Sequence, residues 1–365
     1  MRISGAYFDP LTSTVGSVNA GLKESMRFFW KRTGVGICAL ALSLAPVAAQ
    51  TATSRMVSAA NKFLATLDDH QRQNVLFAFD DDQQRVRWSN LPTSIVKRAG
   101  LNMGEMSAGQ RSAALALVSS ALSRRGFEKV GQIIEADETL KQNERDNPMF
   151  GKDLYYISIL GKPSETDFWM LQFGGHHLAL NITIAGERGI LTPTLTGAQP
   201  ALYTVNGKTV RPLGQESDKA IALLNALDEN QRKQAILSYR LADLVLGPGQ
   251  DGKTIQPEGL KASAMNQSQR AMLVDLISEW TGIIHESAAA ARMAEVTAGL
   301  ADTWFAWSGP TTATPGNNIT AYYRIQGPKL VIEYAPQKLG GDPAMHVHTM
   351  YRDPTNDYGR SPTAK

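Results

Sequence analysis

The sharpest alternation of apolar and polar positions is Leu178-Ala179-Leu180-Asn181-Ile182-Thr183-Ile184, whose period of two predicts a strand. Leu330-Val331-Ile332-Glu333-Tyr334 reads the same way later in the chain. Further strands are predicted over 154–161 and 168–173, and over 304–309 and 321–325. Ahead of each strand group the spacing turns helical, with Val75, Leu76 and Phe79 following Asp68, and Ile236, Leu237 and Tyr239 following Asp228. Asp68 and Asp228 stand where a helix cap belongs, each with a glutamine three residues on. Second helices are predicted over 107–122 and 266–284, capped by Ser107 and Asn266, and third helices over 127–143 and 285–300.

This order occurs twice. Phe63-Leu64-Ala65-Thr66-Leu67-Asp68-Asp69-His70-Gln71-Arg72 aligns with Leu223-Leu224-Asn225-Ala226-Leu227-Asp228-Glu229-Asn230-Gln231-Arg232, about 160 residues later. Gly100-Leu101, Met106 and Gln110-Arg111 then match Gly259-Leu260, Met265 and Gln269-Arg270. The expected fold is α+β and internally duplicated, each half a helical segment followed by antiparallel strands, with a pseudo-two-fold axis. The halves are placed at 50–210 and 211–365. Tyr155, Trp169, Trp304, Trp307 and Tyr322 are expected in the core, and the Gln-Arg pairs on exposed or inter-helix faces.

The first 49 residues read differently. Met26-Arg27-Phe28-Phe29-Trp30-Lys31-Arg32 is a basic start, followed by an apolar run of about eleven residues and Pro46-Val47-Ala48-Ala49. That pattern predicts a secretory signal peptide, with Met26 as the natural start and a secreted or periplasmic mature chain. The leader holds five basic residues against two acidic ones, which equals the +3 of the whole chain, so the mature protein is formally neutral. No cationic field argues for nucleic acid, and the mature chain has no expected membrane span. Cys38, the single cysteine, lies in the leader, so disulfides and thiolate ligands are excluded from the mature chain.

Candidate chemistry rests on histidine. Four of the six histidines fall in two clusters, Gly174-Gly175-His176-His177 and His346-Val347-His348. In a strand His346 and His348 project to one face, side by side, as two ligands of one ion would. Adjacent His176 and His177 reach one ion only if Gly174-Gly175 supplies a bulge; otherwise one is a ligand and the other supports it. Each cluster occurs in one half only, since Gly327-Pro328-Lys329-Leu330 and Thr192-Pro193-Thr194 stand at the corresponding places. A single site assembled across the halves follows, with nitrogen and oxygen ligands for zinc or copper. Ordinary surface histidines and metal-free acid/base use are the alternatives. Glu333, Glu187, Asp353 and His285 are further candidate ligands or bases, and Arg352 and Asp353 could orient the histidines or an anionic substrate. The chain has no nucleophile elbow, P-loop or H-E-x-x-H motif. Asp80-Asp81-Asp82 reads as a solvated turn.

Gly175-His176-His177-Leu178-x-Leu180-Asn181, Tyr322-Tyr323-Arg324-Ile325-Gln326-Gly327-Pro328 with Ile332-Glu333-Tyr334, and His346-Val347-His348-Thr349-x-Tyr351-Arg352-Asp353-Pro354 together resemble a large family of secreted bacterial and fungal proteins known only as a domain of unknown function. The resemblance runs from about Ala60 to Gly359 and implies no reaction. Family members often carry an acidic residue after I-E-Y and an amide before H-x-H, where this chain has Ala335-Pro336-Gln337 and Met345. The leading expectation is a metal-dependent hydrolase or lyase acting on a small molecule, with His176, His177, His346 and His348 at the metal and Glu333, Arg324, Arg352 and Asp353 assisting. A metal carrier, with Met345 and Met350 near a copper ion, and a ligand-binding module are the other expectations.

Overall fold

The computed structural model describes residues 51–339 and 341–360, so the expected leader lies outside the described residues. The chain opens with α1 (Ala52–Ala65) and α2 (Asp69–Val75). Asp68 caps α2 with a full capping box, its carboxylate accepting from the Gln71 N–H at 2.8 Å. The short β1 (Leu76–Phe77) follows at once, then α3 (Asp82–Arg85), β2 (Leu101–Asn102), α4 (Ala108–Ala121) and α5 (Arg124–Asn143). Asp81 caps α3, which is the use found for the acidic run. Strands come next: β3 (Tyr156–Leu160), β4 (Trp169–Gly175), β5 (Leu178–Ala185), β6 (Arg188–Ile190) and β7 (Thr194–Ala198). A separate ribbon pairs β8 (Tyr203–Val205) with β9 (Lys208–Val210).

A similar order follows, without counterparts of β1, α3, β6 and the ribbon among the described residues. It runs α6 (Gly214–Ala226), α7 (Glu229–Ala235), β10 (Leu260–Lys261), α8 (Gln267–Thr281) and α9 (Glu286–Ala298). It ends with β11 (Trp304–Ser308), β12 (Tyr322–Gly327), β13 (Leu330–Pro336) and β14 (Val347–Arg352). Asp228, Ser107 and Asn266 make capping boxes like that of Asp68. The glutamines of these boxes also bond to each other, Gln110 Nε2 to Gln71 Oε1 at 2.7 Å and Gln269 Nε2 to Gln231 Oε1 at 2.8 Å, joining the helices of each half. Leu76, Phe79, Leu237 and Tyr239 were expected on helices, but α2 stops at Val75 and α7 at Ala235. A seven-residue helix is marginal alone. Here the backbone beyond it pairs instead with the sheet, Leu76 beside Ile159 and Ile236 beside Trp307.

Among the described residues twelve strands form one mixed sheet, with the path β1-β3-β4-β5-β7-β14-β13-β12-β11-β10. The centre of the path is the antiparallel pair β7–β14, with Thr196 opposite Thr349 and a hairpin, β4–β5 or β12–β13, on either side, while the ends differ, β1 joining in parallel and β10 in antiparallel. Helices cover one face. Phe63, Leu117 and Ile133 pack there on Ile157, Leu171 and Ile182, while Leu223, Leu276 and Trp280 pack on Phe305, Tyr323 and Ile332. The two helical sets meet where Leu122 bridges Ile284 and the Ser123 and His285 N–H groups donate to Ile283 and Ala121. Of the aromatics expected in the core, Tyr155, Trp169, Trp307 and Tyr322 are fully buried, whereas Trp304 is partly exposed beneath the Lys261 ammonium. No described helix is long and apolar enough to cross a membrane.

The other face mixes polar side chains with a smaller apolar cluster, Leu160, Met170, Leu195 and Met350 beneath Trp88 and Tyr358, and segments from 78–100 and 236–258 lie over it. Ser158, Gln172 and Asn181 line up across β3, β4 and β5, and Gln84 reaches down to Ser158 and Gln172 at 3.1 Å. Asn181 and Thr183, the polar phase of the strongest alternation, are therefore buried as well.

Candidate metal centre

His176 and His177 form the two-residue loop between β4 and β5, where Gly175 pairs with Leu178. There is no bulge: Gly174 and Gly175 stay in regular register, and a Cβ on Gly174 would stand 2.3 Å from the Leu178 carbonyl oxygen. His177 has a φ of 60°, a left-handed conformation that turns reserve for glycine or asparagine. For histidine it costs about 1–2 kcal/mol, and such strain persists where the side chain is needed.

The turn drives the two rings apart in role. The His176 Nδ1 lies 2.6 Å from Asp137 Oδ1 on α5, and Asp137 Oδ2 accepts the Gly151 N–H at 3.0 Å. The Tyr155 hydroxyl donates to the His176 carbonyl. The His177 ring lies against that of His176, centroids 3.6 Å apart, and turns its Nε2 toward the start of β14. There it meets His346 Nε2 at 3.0 Å, and His346 Nε2 lies 3.1 Å from His348 Nε2. His177, His346 and His348 are each no more than 5% exposed. They join one half of the chain to the other.

The three rings are placed so that they could hold a metal ion, and their hydrogen bonding bears on this. His346 Nδ1 stands 2.6 Å from the Leu339 carbonyl oxygen, which can only accept, so Nδ1 carries the proton and Nε2 presents its lone pair. One in-plane lone pair cannot serve two N–H donors at 3.0 and 3.1 Å. Protonating the ring is opposed by burial and then by the charge of His348, which together push the His346 pKa down to about 4. Burial first, then the neighbouring imidazoles, lowers His177 well below its ordinary range, and burial likewise lowers His348. Three neutral rings with convergent nitrogens satisfy each other poorly and a cation well. Nitrogens on one tetrahedral zinc, at about 2.0–2.1 Å from it, lie roughly 3.3 Å apart, within a few tenths of the separations here.

Several supporting residues escaped the sequence reading. Gly197 of β7 pairs with His348, and a Cβ there would lie 3.1 Å from His348 Cδ2 and 3.2 Å from His177 Cδ2, so its bare backbone lets the rings close in. The Asn90 amide is 3.3 Å from His348 Nδ1, and Asp243 Oδ1 is 3.9 Å from the same nitrogen. Burial acts to raise the Asp243 carboxyl, but the neighbouring His348 ring and bonds from the Leu244 N–H and Gln337 hold it lower overall. Gln337, in the stretch after I-E-Y, donates to Asp243 at 2.9 Å. Asn90 and Asp243 also line a cleft with Ser89, Leu244 and Gly247, alongside the centre.

The four side chains expected to assist catalysis are engaged elsewhere. Glu333 accepts from the Val245 and Leu246 N–H groups and from the Tyr322 hydroxyl, at 2.7, 2.8 and 2.7 Å, tying down the covering loop. Arg324 pairs with Glu258. Arg352 donates to the Leu246 and Gly247 carbonyls and pairs with Asp251 and Asp357. Asp353 pairs with Arg292 at 2.9 Å, beyond the far end of β14 from His346. His285 caps α9, and Glu187 stands on a separate cavity. Met350 packs with Leu195, Met170 and Tyr358.

No curated protein and no solved structure matches the chain. A family model described as "Protein of unknown function (DUF3500)" matches residues 49–360, and the chain belongs to that family.

Proposed function

We propose that His177, His346 and His348 hold one divalent cation, zinc or copper, and that the protein is a metal-dependent hydrolase or lyase. The observation that carries this reading is the convergence of three Nε2 atoms, at 3.0 and 3.1 Å, on a point where one shared lone pair cannot satisfy two neighbours. Imidazole nitrogens without thiolates suit zinc and copper. Held by three neutral imidazoles, such a cation would keep its full charge and would supply the chemistry of lowering the pKa of water and polarising a carbonyl. The cleft beside Asn90 and Asp243 is the approach for a small substrate, and Asp243, which lines it, is a carboxylate at hand for proton transfer. The depth of burial of all three rings supports a second reading, a carrier that shields its metal.

The test is elemental analysis of protein purified without a histidine tag, beside the double variant His346→Ala/His348→Ala. Near-stoichiometric zinc or copper, lost in a variant of unchanged circular dichroism, is expected. Absence of metal from the wild type after reconstitution would refute the proposal. A metal-replete protein inert across a hydrolase and lyase screen would leave the carrier.

A further inference from the structure

The strand path has a second place built like the histidine centre. That centre lies where the tip of the β4–β5 hairpin meets the start of β14, with Leu178 beside Thr196 and Ala198 beside Val347. At the opposite end of the same central strands, the tip of the β12–β13 hairpin, Pro328-Lys329, meets the start of β7, with Val331 beside Arg352 and Thr194 beside Tyr351. Here the rings are replaced by a cavity of about 330 Å³, closed on one side by α9. That is ample for a small organic molecule.

Its floor and mouth differ in chemistry. Leu191, Ile284, Ala288 and the Tyr351 ring make a buried apolar floor. Arg292 adds no spare charge. It donates to the Tyr351 hydroxyl, to Glu295 and to the Lys329 carbonyl, and pairs with Asp353. One cation between two carboxylates repels any deep anion, so a phosphate is excluded from the floor. The floor's one open polar group is Thr192, 2% exposed, whose hydroxyl has no partner among the described residues. Leaving such a group bare is costly. The mouth carries the exposed Glu187, Arg188 and Lys329; of these, neither Glu187 nor Lys329 forms a side-chain ion pair or hydrogen bond among the described residues.

We infer that this cavity binds a small zwitterion with an apolar body, the chemistry of an aromatic α-amino acid. The ring lies on the floor, the carboxylate faces Lys329, the ammonium faces Glu187, and a hydroxyl at the inner end reaches Thr192. The inference does not depend on the metal reading.

The experiment is calorimetric and saturation-transfer titration of the full chain with L-phenylalanine, L-tyrosine, tyramine and 3-(4-hydroxyphenyl)propionate. Saturable binding of both amino acids is expected, with tyrosine about fivefold tighter through one hydrogen bond and that advantage lost in Thr192→Val. Lys329→Ala should weaken both amino acids about two- to fivefold, the reach of a solvent-exposed charge, and leave tyramine unchanged. Ala291→Trp, at an exposed lining position of α9, should abolish binding, whereas His346→Ala should not affect it. Failure of either amino acid to saturate, or equal binding by wild type and Ala291→Trp, would overturn the inference. So would a propionate that binds as well as tyrosine.

Discussion

Gly197→Ala tests the spacing of the centre without touching a ligand. The added Cβ would lie 2.9 Å from the Val347 carbonyl oxygen, 3.1 Å from His348 Cδ2 and 3.2 Å from His177 Cδ2. Relaxed carbon contacts begin near 3.5 Å, so each ring must retreat by roughly 0.3–0.4 Å, more than the tolerance of about 0.2 Å on a metal–ligand bond. Two of three ligands move while His346 stays anchored to Leu339. Disturbing ligand support costs about 10–100-fold in metal affinity, or about 1.4–2.7 kcal/mol. Overpacking against the Val347 carbonyl should also cost the fold about 1–3 kcal/mol. The assay is competition for zinc against a chromophoric chelator, with urea unfolding measured alongside. Gly109→Ala is the control, because a Cβ there meets nothing within 4 Å. Zinc affinity within twofold of wild type in a folded Gly197→Ala variant would refute the shared-cation geometry.

Acid should destabilise the metal-free protein. The unfolded chain takes up protons near pH 6.5, while folded His346 resists until about pH 4. Stability is thus full above about pH 6.5 and is lost as pH falls toward 4, His346 alone accounting for about 3 kcal/mol; urea midpoints that do not differ between pH 7.5 and pH 5 in chelator-treated protein would contradict this. Glu333→Gln should cost about 1–3 kcal/mol, since an amide donor then opposes a backbone N–H, yet leave metal content unchanged; loss of metal would return Glu333 to the centre. Arg352→Met strands Asp251 and Asp357 and frees the Leu246 and Gly247 carbonyls, an expected loss of about 3–5 kcal/mol in thermal or urea unfolding.

What could be read from the sequence was mostly local. Asp68 with Gln71 and Asn266 with Gln269 announce helix starts because a capping box closes within four residues. His346 and His348 were paired correctly because strand geometry dictates a shared face. The hairpin tip was harder. Glycines next to two histidines suggested a bulge, whereas the left-handed place in the turn fell to His177 itself. Glu333, Arg324 and Arg352 looked catalytic because charged residues in strands stand out, but their partners, Leu246, Glu258 and Asp251, come from a loop whose path depends on the whole fold. Gly197 and Asn90 carried no local signal, since both matter only through what lies across the sheet or above it.

The position of β14 has a consequence for how the chain can be made. Among the described residues the last strand in sequence, Val347–Arg352, is a middle strand in space, inserted between β13 and β7. Domains ordinarily fold from the N-terminus as they are synthesised, but this sheet stays split, with β7 and β13 each offering an open edge, until Val347–Arg352 is available. Such late, long-range closure is slow, and the open edges invite pairing with other chains. A premature stop just before His346 would remove the keystone strand together with two of the three imidazoles, so truncation there and loss of the centre are a single event.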